Sequence, residues 1–339
     1  MIRIFLLLAS LIWSCASPPQ LQRFEQSTRG LGTEFRIVLY ATDTELACAA
    51  FQEAWNRMEA LDAKLSDYKP DSELARLSAK PMGQGLRVSD DLWTVLVRSQ
   101  EISAQSEGAF DITVGPYVRL WRRSFRQGRL PSAARLAQAR EQVGHSHLKL
   151  ASDEQVIILG LDSMQLDLGG IAKGFIIDEM LAEIRGHGIR SALVEGGGDI
   201  AVGDAPPNSK GWTIAVRAQK EVGAVLLLEN CAVATSGDFA RFVDIEGQRY
   251  SHLIDPATGL GLTSAIAACV IAPDAMTADS LASAACVMGR EVSLVWLESF
   301  PSVEARIWMD QKEPLGACET SGFRKTIVNL PVSSSTAEL

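Results

Sequence analysis

Asp167-Leu168-Gly169-Gly170-Ile171-Ala172-Lys173-Gly174 ends an alternating apolar segment, Met164 to Leu168, and opens an amphipathic one, Ile171 to Arg185. A strand is therefore expected to give way to a helix within this run. Adjacent glycines let a ligand approach the backbone, and the first N–H groups of a helix have no internal partners. With Lys173 adding charge, the run has the makings of a phosphate site. Its spacing is that of neither a Walker loop nor a dinucleotide-binding fingerprint, so a different phosphate-handling site is expected.

Upstream, Glu34 to Tyr40 alternates as a strand, and Thr44 to Leu65 carries apolar residues at helical spacing. Leu92 to Ser106 reads as a second helix capped by Ser89 or Asp90, and Ser132 to Gln142 as a third. Strand patterns follow at Leu148–Leu150 and Val156–Leu159. Downstream, short strands recur at Ser191–Val194, Ile200–Val202, Trp212–Val216, Ala224–Leu228, Cys231–Thr235 and Ala267–Ile271. Helices at Ala275–Met288 and Val292–Ser299 and a strand at Val303–Met309 complete the pattern. Many short strands broken by a few helices give an α+β fold, with largely antiparallel sheets and packed helices.

The 339 residues, 47% of them hydrophobic, are ample for a core, and 22% charged residues exclude a disordered chain. A net charge of −9 argues against nucleic acid as the partner. The short basic cluster Arg119, Arg122, Arg123, Arg126 and Arg129 reads as a solvated helix face or loop. Arg3 precedes an apolar run, Ile4 to Trp13, too short for a stable membrane span and suited to a signal peptide, residues 1–14. Leu11-Ile12-Trp13-Ser14-Cys15 resembles a bacterial lipoprotein signal, with Cys15 acylated. That implies export and anchoring on the periplasmic side of the cell membrane. Residues 15–22 form the tether, 23–330 the domain and 331–339 a flexible tail.

Cys48, Cys231, Cys269 and Cys286 stand in apolar surroundings and read as buried small side chains; no disulfide pair is named by the sequence. His145 and His147 have no acidic or thiol neighbours to make a metal site and read as loop surface. Four other segments carry chemistry: Gly108 to Pro116, the glycine loop Glu195 to Asp199, Tyr250 to Gly259, and Asp274 to Ser283. Asp279 and Ser283, four residues apart, share a helix face and make a hard-cation set with carbonyl oxygens. His252, one of only four histidines and flanked by a serine and an acid, is the general-base candidate. Asp255 either orients it or closes a turn before Pro256.

These segments, in order, resemble the ApbE family, the FAD:protein FMN transferases. The resemblance runs from about Leu31 to Ser283 and rests on Leu31-Gly32-Thr33, Phe110-Asp111, Asp167 to Gly174, Leu193 to Asp199, Ala234 to Asp238, and Ser251-His252 through Asp279. It implies a T-fold-like architecture with FAD contacted by Leu31, Tyr68, Ala109, Phe110, Asp111, Asp167, Lys173 and the backbone near Leu253. It implies magnesium held by the Gly170 carbonyl, Asp279 and Ser283. The implied reaction cleaves FAD, releases AMP and joins FMN through a phosphoester to a threonine or serine of a partner flavoprotein, a subunit of an exported or membrane electron-transfer complex. Hydrolysis of FAD to FMN and AMP, and flavin binding without turnover, are the alternatives. Leu31 and Ser283 stand where the family favours methionine and threonine, and Glu195 where it often has asparagine. Facing the phosphates, the Glu195 charge would repel them.

Overall fold

Alternation along the strands builds one eight-stranded sheet whose two faces are covered by different things. The computed structural model describes residues 20–218, 221–237, 242–309, 317–328 and 337–338. The expected signal peptide, Cys15 and most of the expected tether lie outside the described residues.

The chain opens with the hairpin β1 (Gln22–Gly30) and β2 (Thr33–Ala41), then α1 (Thr44–Leu65), α2 (Glu73–Ser78), β3 (Gly85–Arg87), α3 (Asp90–Gln105), α4 (Gly115–Gln127) and α5 (Ala133–Arg140). Next come β4 (Leu148–Ala151), β5 (Val156–Leu159), α6 (Ala172–Gly186), β6 (Ala192–Gly196) and β7 (Asp199–Val202). After them run β8 (Trp212–Ala218), β9 (Glu221–Leu228), β10 (Cys231–Gly237), β11 (Phe242–Ile245), β12 (Gln248–Ser251), β13 (Ile254–Asp255) and β14 (Leu260–Gly261). β15 (Ile266–Ala272), α7 (Ala275–Met288), α8 (Arg290–Glu298), β16 (Glu304–Met309), β17 (Cys318–Glu319) and β18 (Ala337–Glu338) follow.

The main sheet has the order β1-β2-β6-β7-β10-β15-β16-β17, with every pairing antiparallel. Period-two alternation sends Phe35, Ile37, Leu39, Ala192, Val194, Ala201, Ala232, Ala234, Ala268 and Val270 into a core shared with α1, α6 and α7. The intervening Val38, Leu193, Ile200, Val202, Val233, Cys269 and Ile271 pack instead with the β8–β9 ribbon. Both faces are therefore buried, which explains why the central strands read as nearly continuous apolar runs. Ser89, not Asp90, caps α3, accepting from the Leu92 N–H.

One expected element needs correcting, and three elements were not anticipated. Met164 to Leu168 is not a strand: Met164, Leu166 and Leu168 are buried, but only Gln165 bridges, in parallel, to Val114. Alternation there reflects one buried side of an extended loop. β1 begins at Gln22 and pairs over its length with β2, although its mostly exposed polar residues gave it no pattern, as befits an edge strand. α4 starts at Gly115-Pro116, where the proline serves a first helical turn rather than a loop. Ala337–Glu338, within the expected tail, pairs in parallel with β8. Among the cysteines, Cys269 and Cys286 are buried, Cys231 is partly so, and Cys48 is exposed on α1. No helix among the described residues is long and apolar enough to cross a membrane.

Candidate functional site

The site forms where the start of α6 meets the start of α7. The Gly174 backbone lies so close to α7 that a Cβ there would stand 2.1 Å from the Ala275 carbonyl oxygen. One turn further along α6, Asp178 accepts the Ala275 and Met276 N–H groups, both at 2.8 Å. Asp274 caps Thr277 at 2.7 Å, so the first-turn donors of α7 are satisfied by these two carboxylates and the Asp274 carbonyl. Burial pushes the Asp178 carboxyl up to about 7 against those hydrogen bonds.

This junction fixes Asp279 beside Lys173. Lys173 Nζ donates to Asp199 Oδ2 at 2.7 Å and to Asp279 Oδ2 at 3.0 Å, and the Gly174 N–H reaches the same Asp279 oxygen at 3.3 Å. Burial opposes the charged amine, but Asp199 and Asp279 outweigh it and hold Lys173 protonated, above its ordinary range. Burial, aided by Asp279 and opposed by Lys173, raises the Asp199 carboxyl to about 7. With both carboxylates ionised they exceed the one ammonium in charge, and a further cation would favour that ionised form.

The donors for that cation adjoin. A Cβ built on Gly170 would sit 3.1 Å from Ser283 Oγ and 3.3 Å from the Phe110 ring, so this glycine is a cradle that a side chain would fill. Ser283 Oγ lies 3.1 Å from Ser236 Oγ on β10. The Gly170 carbonyl, Asp279 and Ser283 supply only oxygen, which fits a hard ion such as Mg²⁺. The expected phosphate use of helix N–H groups does not hold for most of them. The Gly169 N–H is taken by Asp167, the Ile171 and Ala172 N–H groups by the Leu168 carbonyl, and that of Gly174 by Asp279.

Strand parity resolves the Glu195 departure. Glu195 follows Leu193 onto the β8–β9 side of the sheet, whereas Asp199 shares the helix side with Ala201. There Arg36, its cross-strand partner, donates to Glu195 through Nε at 2.9 Å and Nη2 at 2.6 Å. Its charge is paired and turned away from Lys173.

The remaining residues form a second group along the α4 side. Tyr68 is 76% exposed, with the Arg122 guanidinium 4.0 Å from its ring centroid. Arg122 also bonds Asp67 and, at 3.5 Å, Asp167. It thus departs from the solvated face expected of its cluster. Burial, and the Asp67 charge next, raise the Asp167 carboxyl to about 6. Asp111 is buried, and its oxygens accept from the Thr113 N–H and hydroxyl and the His145 N–H, tying that loop together. Its burial raises its carboxyl above the usual range. Ala109 is half-buried beside Phe110. Leu31, at φ 49°, and Leu253 pack against the same core as Phe110. His252 is exposed on the turn joining β12 to β13. Asp255 takes the turn role: it accepts the Ala257 N–H and the Thr258 hydroxyl, both at 2.9 Å. Asp238 lies outside the described residues.

Sequence reasoning did not assign Asp199, Ser236, Asp178 or Arg122. Asp178, directly after Phe175-Ile176-Ile177, was detectable as an acid at the end of an apolar helical run. The pairing of Arg122 with Tyr68 joins segments far apart in the chain and left no local signal.

Comparison with known proteins bears on the family and the fold. The ApbE family model matches residues 31–307. A FAD:protein FMN transferase of Treponema pallidum is 31% identical over 313 residues, covering 87% of this chain and 86% of that protein. One from Haemophilus influenzae is 31% identical over 285 residues, covering 79% and 81%. Among solved structures, the flavin transferase ApbE from Vibrio cholerae superposes with a TM-score of 0.79 at 27% identity, covering 90% of this chain and 99% of that one. The ApbE protein of Thermotoga maritima gives 0.82 at 25% identity, covering 91% and 100%. The motifs, the antiparallel sheet with its packed helices and these matches agree, and the chain belongs to the ApbE family.

Proposed function

We infer that this chain is an FAD:protein FMN transferase. The observation that carries the reading is the Lys173–Asp199–Asp279 cluster, its two carboxylates buried, with Gly170 packed close to Ser283 nearby, in a chain aligned with such transferases over most of its length. FAD is the substrate. Attack by an acceptor hydroxyl on the FMN phosphorus forms the phosphoester, and the bond to the bridging oxygen breaks, releasing AMP. A magnesium ion on Gly170, Asp279 and Ser283 would supply Lewis-acid neutralisation of the pyrophosphate charge. Lys173, held protonated, offers a fixed positive charge to the same phosphates. His252 takes the proton of the acceptor threonine or serine, a contribution on the order of 10²–10⁴-fold. Exposure of His252 suits this role, because the acceptor arrives on another protein. The acceptor is a flavoprotein subunit of an exported or membrane electron-transfer complex. The enzyme works on the periplasmic side of the cell membrane, anchored through acylated Cys15; this part of the reading rests on the N-terminal sequence alone.

The test incubates the protein with FAD, Mg²⁺ and a candidate acceptor domain. A fluorescent flavin band on the acceptor in a denaturing gel is the expected outcome. AMP release without labelling would replace transfer by hydrolysis, and tight FAD binding without AMP would remove both.

A further inference from the structure

Arg122 reaches from α4 to two other segments at once. Its guanidinium lies under the Tyr68 ring at 4.0 Å, pairs with Asp67 at the end of α1, and touches Asp167 before α6 at 3.5 Å. A cavity of about 180 Å³ opens beside it, lined in part by Asp67, Val118, Arg119, Gln165 and Leu166. Tyr68 is 76% exposed, a degree at which an aromatic side chain ordinarily samples several rotamers. A flat cation on one face removes that freedom while leaving most of the residue open. The Arg122–Asp67 pair is only partly exposed, and the same guanidinium reaches the Tyr68 ring and Asp167, so one side chain sets the placement of both.

We propose that Arg122 is a positioning residue for the flavin: it holds Tyr68 as a fixed stacking platform and Asp167 as an oriented hydrogen-bond acceptor for the same flat heteroaromatic ligand. The proposal rests on the flavin reading above and adds to it the residue that makes the two contacts cooperate. Arg122 itself need not touch the flavin. Ordering Tyr68 and Asp167 before binding removes an entropic cost that FAD would otherwise meet. The planar guanidinium matters, because a lysine ammonium is a compact point charge without a stacking face.

The test measures FAD affinity, steady-state kinetics and bound-flavin fluorescence in Arg122→Met, Arg122→Lys, Tyr68→Leu and the Arg122→Met/Tyr68→Leu double variant. Arg122→Met is expected to raise Kd and KM for FAD about tenfold with kcat within about twofold, and to relieve quenching of the bound flavin. Arg122→Lys should behave alike while keeping the Asp67 ion pair. Tyr68→Leu should weaken FAD to a similar degree, and the double variant should add little to either single change. Wild-type affinity or quenching in Arg122→Met, recovery in Arg122→Lys, or full additivity in the double variant would each overturn the proposal. Should Arg122→Met fold too poorly to assay, the lysine variant decides. Failure of the wild-type protein to bind or cleave FAD would overturn the flavin reading instead, a result distinct from cleavage that ignores Arg122.

Discussion

At the scale of single residues, this site depends as much on side chains that are missing as on those present. Gly170 leaves space that a methyl group would take from Ser283 and Phe110 at 3.1 and 3.3 Å. Gly170→Ala is therefore expected to lower Mg²⁺-dependent turnover at least tenfold while the melting temperature stays near wild type. Activity restored by high Mg²⁺ would identify weakened metal affinity as the cause. Asp279→Ala removes the carboxylate that Lys173 and the Gly174 N–H share, so Mg²⁺-dependent turnover should be lost. Undiminished activity would remove Asp279 from the metal set. For His252→Ala, FAD binding should survive while transfer slows about a hundredfold or more, the range of general-base help. Transfer at the wild-type rate would exclude it as the base. Most of these candidates could be picked out in the sequence because the proposed chemistry prefers few residue types: a lysine for phosphate, an acid and a hydroxyl for a hard cation. Glu195 was legible only as a departure, since its direction depends on strand parity that the residue type does not encode.

At the scale of elements, the decisive relation is the close approach of α6 to α7. Gly174 permits it and Asp178 locks it, so a residue remote from the phosphates sets the spacing of Lys173 and Asp279. In Asp178→Asn, the amide oxygen can accept one of the two α7 N–H groups while its NH₂ opposes the other. A loss of about 1–3 kcal/mol is expected, the cost of an unsatisfied buried donor. Denaturant unfolding measures it, and a wild-type midpoint would show that α7 is held by other contacts. Helices with strong apolar spacing, α1 and α3 above all, and the central strands were readable from their periods. β1 was not, because an edge strand facing water on most of its length has no apolar alternation. Nor was α4, whose Gly115-Pro116 start looks like a turn until the following residues are seen to bury Tyr117 and Trp121.

At the scale of the whole molecule, several buried carboxyl groups share one direction of shift. Asp178 and Asp199 titrate near 7 and Asp167 near 6, against 3.8 for an unperturbed aspartate. Between about pH 4 and 7 the folded ligand-free protein therefore holds more protons than the unfolded chain, and its stability falls as pH rises through that window. At lower pH the opposite shift of Asp91, which Arg57 and Lys64 hold ionised against burial, begins to cost stability. The ligand-free protein should thus melt highest near pH 5 and measurably lower at pH 8. Asp178→Asn should flatten the slope between them. A melting temperature that climbs steadily from pH 5 to pH 8 would contradict these shifts. The α+β class followed from the order of elements, but the pairing of β2 with β6 and of β10 with β15 did not, because partners so distant in the chain leave no local trace. That distance has a kinetic consequence. The residues assigned to the site run from Leu31 to Ser283, so on this reading no early fragment of a growing chain carries a usable pocket. Until α7 has been synthesised and has docked, the nucleotide meets only an incomplete surface; ligand capture then becomes a late event that reports completion of the fold.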